Sequence, residues 1–199
     1  FSTETTGGWV ITYQTIVTRV YANDGTLMST KKDGPTIINK VKADESGAVA
    51  PDKGKVSSTL SGEYARVSVG LNYDTSIASE VVTQINAERS ASGLSSLVLS
   101  SSSTEGMIAA IRAADMAIYN HSDYDSATYG DLHNMCSMYK VTSSAPSEIV
   151  WKTTGGKTST AIASRLQLMS GALMNSNYSS IGLSIVSKNG YYYIDVILL

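Results

Sequence analysis

The spacing of hydrophobic residues changes near residue 74 and divides the chain into a strand-like part and a helix-rich part. From Trp9 to Tyr21 the chain is dominated by β-branched and aromatic residues, which are typical of β-strands. Alternating stretches at residues 36–41 and 63–72 predict two further strands. We therefore predict that residues 1–73 form a β-rich N-terminal extension or small subdomain, followed by a main domain at residues 74–199.

Turn residues separate the predicted strands of the N-terminal part. The segments Asn23–Gly25 and Asp33–Pro35 combine Asp with Gly, and the second also contains Pro, so each predicts a turn. Residues 42–56 are rich in Lys, Asp, Gly and Pro and predict a loop.

Three helices are predicted after residue 74, because apolar residues recur there at spacings of three and four. The first should end at Gly93, a residue suited to the left-handed conformation that closes a helix. The second should open with a capping box formed by Ser102 and Glu105. The third should span residues 159–174. The three apolar stripes, each expected to face a sheet, are Ile77/Val81/Ile85, Met107/Ile111/Ala114/Ile118 and Ile162/Leu166/Met169/Leu173.

The C-terminal residues predict a β-hairpin. Two apolar stretches, residues 181–186 and 191–198, flank Asn189-Gly190, a pair that supplies the positive φ angles of a tight hairpin turn. Residues 119–157 have weak periodicity and predict irregular structure with one short helix. Together the elements predict an α+β fold.

The composition restricts the possible functions. Charged residues make up 16% of the chain and the net charge is −2, so no basic surface for nucleic acid is expected. The polar surface comes instead from 31 Ser and 19 Thr, a composition common in exported bacterial proteins. A single Cys excludes a disulfide framework, and no apolar run reaches the roughly 20 residues of a membrane span. Since the chain begins at Phe1, we expect a processed product whose targeting signal is already removed.

Two motifs that suggest chemistry are incomplete. The sequence Gly155-Gly156-Lys157-Thr158 resembles the end of a phosphate-binding loop, but the earlier glycine of that loop would fall at Trp151. Cys136 lies between two Met residues, and His133 is the only potential base nearby in the sequence. We interpret the glycines as a lead into the third helix and Cys136 as a buried structural thiol.

Three separated segments resemble one known family. They are Asn86-x-x-Arg89-x-x-x-Gly93-Leu94 in the first helix, Ala113, Met116 and His121-Ser122 at the end of the second, and Asn177-Tyr178-x-x-Ile181-Gly182 before the hairpin. Their order and spacing resemble the CAP superfamily, the SCP-like extracellular domain of bacterial type, over residues 77–199. The resemblance implies a three-layer α-β-α sandwich. It also implies a cleft that commonly carries two His and two acidic residues able to hold a divalent cation.

The cleft residues implied by the resemblance are only partly present. The first His corresponds to His121, the acidic residue to Glu148, and the second His position to Met169. A thioether is a poor ligand for such cations, and two good ligands are fewer than a zinc site needs. We expect a degenerate cleft with no metal and no cofactor, in which His121 and Glu148 lie within hydrogen-bonding reach, directly or through one water, and Met169 lines the same cleft.

These observations lead to a functional hypothesis with two alternatives. The first is a secreted bacterial CAP-domain protein, extracellular or on the cell surface, that binds a protein, glycan or lipid without catalysis. Tyr191-Tyr192-Tyr193 could serve as an aromatic binding platform or as ordinary strand residues. One alternative is a protease-like hydrolase that uses His121 as general base and Glu148 to orient it. The other is a metal-independent lipid carrier that uses an apolar face between helices.

Overall fold

The computed structural model describes residues 56–143 and 145–199 with their side chains, and the backbone pairing of three strands nearer the N-terminus. The chain forms two compact units, residues 1–52 and 53–199. The boundary predicted between residues 73 and 74 therefore lies inside the second unit.

The first unit contains an antiparallel sheet of the order β1-β2-β3. Its strands are β1 (Ser2–Thr6), β2 (Trp9–Tyr21) and β3 (Leu27–Lys42). The turn predicted at residues 33–35 is wrong, because these residues lie within β3, where the pairing with β2 shifts register between Gln14 and Ile16. The predicted turn at residues 23–25 and residues 43–55 of the predicted loop lie outside the described residues.

The second unit mixes helices with a five-stranded sheet, which confirms the α+β prediction for this part of the chain. Its helices are α1 (Leu60–Val67), α2 (Thr75–Ala91), α3 (Thr104–Tyr119), α4 (Leu132–Met138), α5 (Ser159–Met169) and a 3₁₀ helix (Gly171–Met174). Its strands are β4 (Asn72–Tyr73), β5 (Val98–Leu99), β6 (Ser147–Thr154), β7 (Ser180–Lys188) and β8 (Tyr191–Leu198).

The three predicted helices correspond to α2, α3 and α5, and each begins at a side chain that caps its first turn. Asp74 accepts a hydrogen bond from the Ile77 amide, and Thr158 caps α5 in the same way. Gly93 follows α2 with a φ of 73°, as predicted. The cap of α3 is Ser103 rather than Ser102, since the Ser103 hydroxyl accepts from the Gly106 amide.

The strand predicted at residues 63–72 is wrong, because α1 occupies its first half and only Asn72 belongs to a strand, β4. Thr59 caps this helix, and the helical spacing lets Arg66 bind the buried carboxylate of Glu63, which Tyr129 also contacts. Burial raises the pKa of Glu63, but the hydrogen bonds from Arg66, the Ser57 amide and Tyr129 outweigh it, so this pKa lies below its usual value. The buried ion pair between Glu63 and Arg66 therefore stabilises a helix at residues whose apolar pattern is that of a strand.

Strand β7 is central to the described sheet, whose order is β4-β7-β8-β6. Strands β7 and β8 form the predicted hairpin, with positive φ at Asn189 and Gly190. The second edge of β7 is shared by two short strands, antiparallel β4 at one end and parallel β5 at the other. Strand β6 pairs with β8. Residues 119–157, predicted to be irregular apart from one short helix, contain both α4 and the unpredicted strand β6.

Helices pack against both faces of this sheet. The apolar side chains of α2 and α5 form one core cluster with alternate sheet residues such as Leu183, Ile194 and Val196. The intervening sheet residues, such as Val186 and Ile197, contact the opposite helices α1, α3 and α4. Helix α3 is buried over most of its length, because it lies between the sheet and α1.

Close contact between α3 and β7 depends on Gly182. A Cβ atom at this position would lie 2.0 Å from the carbonyl oxygen of Glu105 and 2.7 Å from the amide nitrogen of Gly106. Because these neighbours are backbone atoms, we expect Gly182→Ala to lower the free energy of unfolding by about 1–3 kcal/mol. Gly171→Ala is the matched control, since its Cβ would meet no atom within 4 Å. Equal urea midpoints for the two variants would contradict this prediction.

Candidate functional site

A buried polar network lies between α3 and the sheet. It consists of Arg112 and Asp115 on α3, His121 just after that helix, Glu148 on β6 and Asp195 on β8. Arg112, Asp115 and Asp195 are almost completely buried. Because buried ionisable groups are costly unless they are paired, the contacts among these five residues define what the site can do.

Arg112 is the cation at the centre of this network. Its Nε donates to Glu148 Oε1 at 2.7 Å, and its two terminal nitrogens donate to the carbonyl oxygens of Gly130 at 2.7 Å and Tyr124 at 2.6 Å. Burial lowers the pKa of Arg112, but the nearby carboxylates, Glu148 above all, raise it by more. Arg112 therefore remains charged and fixes the 121–131 loop against α3.

The surroundings of Asp195 favour the neutral form of its carboxyl group over the charged form. Complete burial raises the pKa of its carboxyl group well above the usual range, the Glu148 carboxylate raises it further, and Arg112 only partly opposes them. No protein donor reaches either Asp195 oxygen within the described part of the chain. Asp195 is therefore a buried carboxyl group that lies beside one negative charge, on Glu148, and one positive charge, on Arg112.

His121 is positioned by the end of α3. Asn120 adopts the left-handed conformation with a φ of 57°, and the His121 amide bonds back to the carbonyl of Met116. The ring nitrogen Nε2 lies 2.9 Å from Asp115 Oδ2, and Nδ1 accepts from the Asp123 amide at 3.2 Å. Because Nδ1 is an acceptor, the neutral ring carries its proton on Nε2 and donates it to Asp115.

His121 and Glu148 do not form a direct hydrogen bond, and a contact through one water stays a prediction. The ring of His121 binds Asp115 and Asp123, whereas Glu148 binds Arg112. Met169 is not brought to these residues either, since it packs against the core cluster formed by α2 and α5 on the other face of the sheet. Within residues 56–143 and 145–199 no group of three or more His, Cys, Asp or Glu could hold a metal ion.

The remaining nucleophile candidate, Cys136, is buried on α4 and unsuited to chemistry. Burial raises the pKa of its thiol, and the negative charges of Glu148 and Asp131 raise it further, so the thiolate is disfavoured. His133 and Cys136 both line a surface cavity near the C-terminal end of α4. A buried, protonated thiol agrees with the structural role expected from the sequence.

A second polar group lies at the surface, above the end of α3. The Asn120 side-chain oxygen accepts from Lys152 Nζ at 2.8 Å and from the Tyr193 hydroxyl at 2.7 Å. The ammonium of Lys152 lies 4.7 Å from the ring centre of Tyr191. Of the three consecutive tyrosines, Tyr191 is exposed, and the other two are buried on opposite faces of the sheet. The three rings therefore do not form one binding platform.

Sequence reasoning found His121 and Glu148 but missed their partners. Arg112 and Asp115 interrupt an otherwise apolar helix, and Asp195 is a single acid in an apolar strand. Charged residues inside such apolar segments predict a buried polar network, because they must find partners where water is excluded. That signal was present in the sequence.

Comparisons with known proteins identify a shared fold. No protein-family model matches the chain, and no curated protein matches it significantly in sequence. An outer surface protein from Borrelia burgdorferi is similar in structure, with a TM-score of 0.54, 14% identity, and coverage of 64% of this chain and 95% of that chain. An extracellular protein containing an SCP domain from Bacillus anthracis str. Ames has a TM-score of 0.47, 12% identity, and coverage of 98% of this chain and 66% of that chain. The likeness to the Borrelia protein shows that this chain shares its fold over the matched part.

Proposed function

We propose that this chain is an exported bacterial protein of the CAP type, a three-layer α-β-α sandwich with an N-terminal β extension, that binds a ligand without catalysis. Extracellular or cell-surface location is supported by the Ser- and Thr-rich, charge-poor composition and by the fold shared with an outer surface protein. Within the described residues, each helix is too short or too polar to pass through a bilayer.

The observation that carries the non-catalytic role is the engagement of His121 inside its own chain. Both ring nitrogens are hydrogen-bonded, to Asp115 and to the Asp123 amide, so neither is directed at a substrate. Each nitrogen of Arg112 likewise donates to a group of its own chain, one to a carboxylate and two to backbone carbonyls. A general base needs a substrate proton within hydrogen-bond reach, and a hydrolase also needs an oxyanion-stabilising device. These contacts instead support a scaffold that fixes the end of α3.

The hydrolase alternative rests on one favourable feature. A carboxylate that holds an imidazole in one tautomer is the arrangement of a catalytic base with its orienting partner, and Asp115 rather than Glu148 occupies that position. The side chain of His121 is 20% exposed, which gives solvent some access to the ring.

Hydrolysis assays with His121→Asn distinguish the two roles, with His133→Asn as the matched control. The probes are p-nitrophenyl acetate and fluorescently labelled casein. We expect all three proteins to hydrolyse neither probe above the protein-free rate. We also expect His121→Asn to lower the free energy of unfolding by about 1–2 kcal/mol, through loss of the bond to Asp115. Hydrolysis by the wild type that His121→Asn abolishes and His133→Asn retains would contradict the proposed function and establish the hydrolase.

A further inference from the structure

The edge of β7 is left open between its two short partner strands. Strand β4 pairs with Val186 and Ser187, and β5 pairs with Ser180 and Ile181. The Asp74 amide binds the carbonyl of Ile185, which shows that this residue directs its peptide groups to the open edge. Because backbone direction repeats every two residues along a strand, Leu183 directs its N–H and C=O to the same edge. No described strand pairs with Leu183 there.

A cavity of about 250 Å³ occupies this open segment. Its floor is formed by residues 183–185 of β7, and its sides by the start of α2, the residues after β5, and α3. Small side chains on the helices, Ala78, Gly106 and Ala110, leave the space unfilled. Tyr64 and Tyr73 also line it.

The lining combines apolar surface with hydroxyl groups. Apolar contacts come from Leu99, Leu183 and Ile185 together with the alanines, while hydroxyls come from Ser100, Ser101, Ser184 and Thr75. Among the described residues of the lining, Asp74 is the charged one, and its side chain caps α2 at the Ile77 amide. None of the described residues that line this cavity is Lys, Arg or His, so its charge disfavours anionic ligands.

Ser184 contributes a hydroxyl group to the lining of this cavity. It is 6% exposed, its side chain is on the face of β7 that packs against α3, and the described residues provide no hydrogen-bond partner for its hydroxyl. The Ser184 oxygen is not among the fully buried unpaired atoms of the described residues, so it is accessible from the cavity. The Ser184 hydroxyl and the edge-directed peptide groups of Leu183 together place hydrogen-bond donors and acceptors beside apolar walls.

We propose that this cavity binds a small, neutral, amphipathic molecule that presents a hydroxyl group to Ser184 and Leu183 and an apolar ring or short chain to the alanine-lined wall. A hydroxyl both donates and accepts, which matches an N–H and a C=O on the same edge. The size also fits: an apolar cavity of about 150 Å³ accommodates benzene, so about 250 Å³ accommodates a ring or six-carbon chain with its head group. The ligand is held and not converted, and in that respect the inference rests on the proposed function.

Titration of the ¹⁵N-labelled full chain with 4-ethylphenol and hexan-1-ol tests this site by NMR. We expect saturable shifts of the Ala78, Leu183 and Ser184 amides. Sodium hexanoate has the same chain length as hexan-1-ol but carries a charge, and it should bind at least tenfold more weakly because of Asp74. Absence of saturable shifts with both neutral probes would overturn the proposal, as would equal affinity for hexanoate.

Two variants with matched controls locate the binding. Ser184→Ala removes the unpaired hydroxyl and should weaken hexan-1-ol binding about three- to tenfold, whereas Ser180→Ala on the same strand should not. Ala78→Leu fills the cavity and should weaken hexan-1-ol binding at least tenfold, whereas Ala91→Leu on an exposed turn of α2 should not.

Equal affinities within each pair would place the binding elsewhere and overturn the proposal. If Ala78→Leu fails to fold, the comparison of Ser184→Ala with Ser180→Ala still tests the proposal. If the chain binds hexan-1-ol and also hydrolyses the acetate or casein probe, the proposed function is refuted but the binding site is not.

Discussion

Arg112→Met is expected to lower the free energy of unfolding by about 3–5 kcal/mol at pH 7, because it leaves Glu148 and its buried neighbours without a cation. The substitution also removes the donors to the carbonyls of Gly130 and Tyr124, which hold the loop after α3. Urea denaturation of the full chain in a Trp9→Phe background measures the change, since Trp151 on β6 then reports the second unit alone. The control is Arg165→Met, the same change at an exposed position, which should cost less than about 0.5 kcal/mol.

The cost of Arg112→Met should decrease as the pH falls from 7 towards 4.5. Arg112 lowers the pKa of Asp195, so its removal raises that pKa further above the unfolded value. The folded variant then binds more protons than the unfolded chain, and its stability increases as the pH decreases towards the ordinary carboxyl range. A cost below about 1 kcal/mol, or an equal cost at both pH values, would show that Arg112 does not neutralise this carboxyl cluster.

The elements that sequence reasoning predicted correctly are those whose packing follows one simple period. Helices α2 and α5 each bury a stripe at helical spacing, α3 has the same spacing but is buried on nearly all sides, and the β7–β8 hairpin follows from Asn189-Gly190. Helix α1 was mistaken for a strand because its stability depends on the Glu63–Arg66 pair and on Tyr129, which is distant in sequence. Strand β6 was missed because it is paired on one side only, and its place is set by β8.

The candidate site was predictable only in part for a similar reason. The end of α3 is encoded locally by Asn120, so the position of His121 could be inferred. Its partner Asp115 is on the same helix but six residues earlier, and the pairing requires the chain to turn back through the left-handed Asn120. The contact between Arg112 and Glu148 joins residues 36 positions apart, and only the packing of α3 on the sheet brings them together.

The second large effect is expected at Arg89, a buried cation paired with backbone instead of carboxylates. Its Nε donates to the carbonyl of Ser95 at 2.8 Å. The two terminal nitrogens donate to the carbonyls of Leu173 at 2.7 Å, Asn175 at 3.0 Å and Tyr178 at 3.2 Å. Arg89 thereby joins the end of α2 to the segment between α5 and β7.

Nearby, Asn86 exchanges two hydrogen bonds with the backbone of Leu97. Both residues belong to the segment that resembles the CAP family, and both contacts are structural.

Arg89→Met is therefore expected to cost at least about 4 kcal/mol, because it leaves four carbonyls without their donor in a buried region. The free energy of unfolding of Arg89→Lys should lie between those of Arg89→Met and the wild type, since an ammonium keeps the charge but has only three donors and no planar fork. Backbone carbonyls do not titrate, so the cost should be the same at pH 7 and pH 4.5, unlike that of Arg112→Met. Urea denaturation in the same Trp9→Phe background, followed by Trp151 fluorescence, measures this cost, with Arg165→Met as control. A cost that decreases in acid would show that Arg89 also neutralises a carboxylate, and a cost near that of Arg165→Met would show that these carbonyls find other donors.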